Sequence, residues 1–260
     1  MNIQRFCGHR VELYDCIDEL PIQRFQKYNK FLMIEAGVGS TAADIVDHIT
    51  RAERLVRTDP TAALRELENV RTGIYLVREE LSPPYLAFAV LVARIDGEPM
   101  TDISDDGLRA TLDRLRTARV GWIDCIFDAV KKKIDTELRA YFPERFDDAA
   151  EKQFYDDLKE HTLLTLDTVA TGKDHADEQA EIVARMDRRG KPQAFTGRDS
   201  AEVRYDRQFE DLCVALTEYT HGVDPHTMTV MQFYTTEAYA QRQVKEQRRR
   251  AQRTAAKAAR

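Results

Sequence analysis

A mostly α-helical fold, a multi-helix bundle with room for one small β-hairpin and a long C-terminal helix, is predicted by three observations. Gly (11) and Pro (8) are scarce among 260 residues, leaving few of the turns that an all-β chain needs. Charged residues make up 32% and hydrophobic residues 43%, enough to fill a core beneath long solvated helices. Over most of the chain the apolar residues recur at helical rather than alternating spacing.

Pro21 suits a first helical turn, and Ile22, Phe25, Tyr28 and Leu32 follow at helical spacing, so a helix is expected over 21–36. Gly37 is expected to end it in the left-handed conformation, with Ser40 or Thr41 capping a second helix to about Arg57 whose buried face is Ile45, Ile49, Ala52 and Val56. After Pro60 a third helix carries Leu64, Leu67, Val70, Ile74 and Leu81 and stops at Pro83-Pro84. The run YLAFAVLVARIDGEPM suits a buried helix and a buried strand equally, and Asp96-Gly97 marks a hairpin turn with Pro99 on the edge. Ser104 caps a helix to about Thr117.

The strongest periodicity lies over 120–142, where Ile123, Ile126, Phe127, Val130, Ile134, Leu138 and Tyr141 face one way before Pro143. A helix over about 147–170 is expected to bury Phe154, Leu158 and Leu166. From Thr171 to Ser200 apolar residues thin out and charge dominates, which reads as a charged linker or mobile helical arm. Tyr205, Phe209, Leu212 and Leu216 define an amphipathic helix within 201–220, and Thr229 with Gln232 forms a capping box for the last helix. The organisation expected is an acidic helical domain over 1–170, the linker over 171–200 and a C-terminal helical segment with a basic tail over 201–260.

The formal net charge is −6, yet residues 241–260 hold eight Lys/Arg against one Glu, which leaves −13 on residues 1–240. No apolar run reaches the ~18 residues of a spanning helix, and MNIQRFCGHR has no apolar signal-peptide core. A cytoplasmic protein without a membrane partner is expected. Cys7, Cys16, Cys125 and Cys213 lack framework spacing and read as reduced thiols.

Among the motifs, Gly37-Val-Gly39-Ser-Thr41 resembles the start of a phosphate loop, but no lysine follows and no third glycine opens the helix. A helix corner accounts for it better. Asp102-Ile-Ser-Asp-Asp-Gly107 matches the opening of a calcium loop, then departs from it with Asp113 where a bidentate glutamate belongs; an acidic helix N-terminus is the simpler account. Cys7, His9 and Cys16, with His221 or His226, offer zinc donors at a spacing that is not that of a structural site. Asp44 with His48, and Asp157 with His161, lie four residues apart, as surface pairs commonly do. No nucleophile or metal centre emerges, so neither catalysis, a cofactor nor a resident metal is expected.

The tail QRQVKEQRRRAQRTAAKAAR places Lys245, Arg249, Arg253 and Lys257 at four-residue steps among good helix formers. Such a cationic stripe can neutralise phosphates or dock on an acidic protein surface, and it lacks the aromatic residues that stack on single-stranded bases. Upstream, Phe233, Tyr234 and Tyr239 are candidate partner-binding anchors, unless they pack against the 201–220 helix.

Three stretches, ELPIQRFQKYNKFLMIEAGVGS, LSPPYLAFAVLVARIDGEPMTDISDDGL and MTVMQFYTTEAYAQ, resemble helical morphogenesis proteins of tailed bacteriophages and prophages. The resemblance implies an assembly or minor structural protein, similar to a tail assembly chaperone beside the tape-measure protein, in the host cytoplasm or associated with the virion. It implies a phage structural or tape-measure-like partner, with self-association open, and brings no defined site residues. The alternative is a nucleic-acid-binding accessory protein that uses the basic tail.

Overall fold

Helices dominate, as the scarcity of turn formers requires. The computed structural model describes all residues except 7, 40, 79–81, 116–119, 147–148, 190–192, 196, 221 and 259–260, and the backbone alone at 6, 120–122, 149–152, 154, 187–189 and 253–258. In chain order the elements are β1 (Asn2–Phe6), β2 (His9–Leu13), α1 (Ile22–Val38), α2 (Ala42–Leu55), α3 (Pro60–Arg78), α4 (Pro83–Leu91), β3 (Val92–Ile95) and β4 (Glu98–Pro99). They continue with α5 (Asp105–Leu115), α6 (Val120–Tyr141), α7 (Pro143–Phe146), α8 (Ala149–Thr171), α9 (Ala176–Arg189), α10 (Ala201–Leu216) and α11 (Val230–Ala258). No helix among the described residues is long and apolar enough to cross a membrane.

The ambiguous apolar run is helix and strand in succession, α4 leading into β3. Asp96 (φ 53°) and Gly97 (φ 85°) both take left-handed backbone and turn β3 into β4, the twist a two-residue hairpin needs. Pro99 lies on the edge strand, where its missing N–H is tolerated. The N-terminal hairpin of β1 and β2 was not foreseen. It turns at Gly8 (φ 92°) and extends the sheet to four antiparallel strands in the order β1-β2-β3-β4. Val11 and Leu13 point inward two residues apart, as strand geometry dictates.

One core unites the sheet with α1, α4, α6, α10 and α11, centred on Phe25, Tyr28, Phe88, Phe127, Ile134 and Phe233. Aromatic rings meet there edge-on, as in Phe88 on Phe127 (6.3 Å between centroids) and Tyr28 on Phe127 (6.2 Å). The buried Arg24 guanidinium donates to the carbonyls of Val90 (2.6 Å), Val92 (3.1 Å) and Met100. It thereby supplies a buried donor to carbonyls where α4 passes into β3 and just beyond β4. The starts of α1 and α11 are stitched together: Ile22 N–H donates to Met228 O and Val230 N–H to Leu20 O, both at 2.9 Å. The capping box of α11 forms as expected, with Thr229 N–H on Gln232 Oε1 (3.1 Å) and Gln232 N–H on Thr229 Oγ1 (3.4 Å).

Three expectations need correction. Gly39, not Gly37, ends α1: it has φ 69° and its N–H donates to Glu35 O, whereas Gly37 is still helical and leaves room for the Phe195 ring. Tyr141 is exposed at the end of the α6 core face. Finally, of the apolar stripes expected on α2, α3 and α8, Ala52 and Val70 are buried as expected, whereas Ile49, Val56, Leu64, Leu67, Ile74, Leu158 and Leu166 are exposed. On α2 the buried residues are His48 and Ala52, and on α3 they are Ala62, Ala63, Glu66, Asn69, Val70 and Gly73. Small residues bring α2 and α3 close, and this displaces the larger apolar side chains to the outside. Leu158 and Leu166 of α8 are exposed because that helix packs chiefly on α9 through Asp157 and its neighbours. Leu81 and the Phe154 side chain lie outside the described residues.

Candidate interaction surfaces

Most of the residues proposed from sequence fall among the described ones, and these have a defined place. Phe233 and Tyr234 are buried, so they fasten α11 to the body and are not available as free anchors. Phe233 packs on Phe209 of α10 (5.7 Å between centroids), and Tyr234 sits among Phe142 (5.5 Å), Phe146 (5.4 Å) and the Arg145 guanidinium (4.7 Å). Burial pushes the Tyr234 hydroxyl up to about 12. Tyr239 is half exposed, its ring edge-on to Tyr219 at 6.4 Å.

Beyond Ala240 the polar residues of α11 lie largely in solvent. Lys245, Arg248, Arg249 and Arg250 are exposed, with Arg250 paired to Glu246 at 3.6 Å. The Arg253 and Lys257 side chains lie outside the described residues. Lys245 and Arg242 reach a cleft of about 680 Å³ between α11 and the α6–α7 corner, where Arg145 also binds Glu237 at 2.5 Å.

The glycine corner is a helix junction. Thr41 Oγ1 accepts from Asp44 N–H (3.2 Å) and the Asp44 carboxylate accepts from Thr41 N–H (2.8 Å), a reciprocal cap. Ser40 lies outside the described residues. His48 turns away from Asp44: Nδ1 meets Glu66 Oε2 at 2.5 Å and Nε2 meets Val38 O at 3.1 Å, with Arg51 also on Glu66. Asp157 likewise pairs with Arg185 of α9 at 3.4 Å.

In the calcium-like stretch Asp102 Oδ1 accepts from Ser104 N–H (2.8 Å), and Ser104 Oγ accepts from Gly107 N–H (3.2 Å). These oxygens serve the first turn of α5. Of the zinc donors, Cys7 and His221 lie outside the described residues. His9 binds Asp96 at 2.6 Å, and His226 is held between Asp224 (2.8 Å) and Glu210 (3.0 Å). Cys16 stands beside Asp15 and Glu19, whose carboxylates face the Met1 ammonium and, at 2.7 Å from Asp15, Lys133.

What sequence reasoning missed is exposed apolar surface. Leu64 (63%), Val46 (59%) and Val56 (56%) are open to solvent, with Ile49, Leu67 and Ile74 less so. A second stripe on α8, Tyr155, Leu158, Leu166 and Val169, is also exposed, Val169 to 81%. The signal was present in α3, where Ala62, Ala63, Val70 and Gly73 form one face and Leu64, Leu67 and Ile74 another. One neighbouring helix cannot cover an arc that wide. Comparison with protein-family models, with curated proteins and with solved structures gives no match.

Proposed function

We propose that the protein works by protein–protein contact, without a catalytic step, as an assembly or minor structural component in tailed-phage or prophage morphogenesis. Its role resembles that of a tail assembly chaperone beside a tape-measure protein. The supporting observation is that large apolar side chains stand in solvent at helical spacing on α8, where a folded monomer would otherwise turn polar residues outward. Tyr155, Leu158, Leu166 and Val169 fit the apolar face of a partner helix, the mode by which amphipathic segments are recognised in grooves and between helices.

The test is nuclease-treated affinity capture from the native host with the full chain, a 1–240 truncation and a Leu158→Glu/Leu166→Glu variant. Recovery of a phage structural protein by the first two and not by the third is expected. Equal recovery by all three would remove α8 from the interface, and recovery of no structural protein would overturn the reading.

A second reading, an accessory protein that binds nucleic acid through α11, is favoured by the exposure of Lys245, Arg248, Arg249 and Arg250 on one helix segment. Its signature is an affinity that falls linearly with salt on logarithmic axes and disappears on truncation at Ala240.

A further inference from the structure

The α2–α3 hairpin has one occupied side and one open side. On the occupied side Val38, Leu76, Phe195 and Ala201 form a small apolar cluster, and His48 reaches Val38 O. Ile45 lies against Gly73, while His48 and Arg51 lie against Glu66, so the helices are antiparallel and Ile49 stands level with Leu67.

On the open side the two helices carry the same pattern. Val46, Ile49 and Glu53 on α2 with Val56 at its C-cap, and Leu64, Leu67, Arg71 and Ile74 on α3, have identical spacing. Each stripe is apolar except at its third position, where one helix has an acid and the other a base. A half-turn about an axis normal to this face, through the Ile49–Leu67 level, lays one stripe over the other.

We propose that this face closes on the same face of a second copy of the chain, forming a four-helix interface. An isologous contact requires a surface that complements itself, and a face that is apolar except for one acid and one base offers apolar surface to apolar surface and opposite charges to each other. A two-fold axis across the hairpin at the Ile49–Leu67 level brings Glu53 of one copy to the level of Arg71 in the other, twice. Within one chain neither residue has an ion-pair partner among the described residues. The six apolar side chains offer on the order of 500 Å² per copy, in the range of a functional patch. With the charged rim the total approaches the ~800 Å² per partner of a stable interface. The inference does not depend on which partner α8 recognises.

Sedimentation equilibrium of the full chain over a concentration series tests it. A species of twice the 30.0 kDa chain mass is expected. Ile49→Glu and Leu67→Glu should each give monomer with unchanged helical circular dichroism. Glu53→Arg and Arg71→Glu should each weaken the dimer at least about tenfold, and the double reversal should recover it. A wild-type monomer at high micromolar concentration, or a dimer unaffected by both apolar-to-glutamate changes, overturns the proposal. Failure of the double reversal to restore association overturns the two-fold pairing.

Discussion

Tyr28 has no exposed surface, and its hydroxyl has no hydrogen-bond partner among the described residues. A buried unsatisfied hydroxyl costs about 1–3 kcal/mol, so Tyr28→Phe should leave unfolding stability unchanged or raise it by about 1 kcal/mol in a urea titration. His226 behaves differently. Asp224 above all, and Glu210 beyond it, raise its pKa over the ordinary value of 6.5 against a smaller opposing effect of burial. The fold therefore favours the imidazolium, and this contribution is fully present below about pH 6.5 and lost as pH rises through the higher folded value. His175 is raised in the same sense by Asp167 and Glu178. Stability should fall as pH rises above about 6.5 through the raised values of the two histidines, and His226→Gln should flatten part of that fall in parallel melts. The cysteines divide by environment: burial pushes Cys213 up to about 12, while Cys125 is exposed.

Among the elements, Gly39 makes the sharpest demand. Its φ of 69° with ψ of −174° suits glycine almost alone, and an added Cβ would meet the Asp44 carboxylate of the α2 cap. Gly39→Ala should cost about 2 kcal/mol in chemical denaturation, since it strains the backbone and disturbs the cap together. Much at this scale was legible in the sequence. The α6 face came from an unbroken 3.6-residue period, the α11 cap from Thr229 and Gln232, and the β3–β4 turn from Asp96-Gly97. The N-terminal hairpin was not legible, because β1 mixes Ile3 with Gln4 and Arg5, and its sheet is completed only by β3, some 80 residues away. The open stripes of α2, α3 and α8 escaped for a different reason. Periodicity identifies an apolar face and is silent on what covers it.

At the scale of the whole molecule the contrast is between a densely packed body and a long terminal helix. The 29 residues of α11 begin in the aromatic core and extend about 43 Å. Segments with few buried contacts open locally at little cost, so limited trypsin digestion should trim α11 from Arg242 onward before it nicks α1 or α6. Intact-mass spectrometry over a digestion time course checks the order. The positive excess is gathered on the far part of that helix and the negative excess on the rest of the chain, and this has a practical corollary for handling the protein. One cut after residue 240 divides a chain of formal charge −6 into a body of −13 and a peptide of +7. The clipped body should bind an anion exchanger more tightly than the intact chain, so an elution profile reports whether the terminal helix has survived purification.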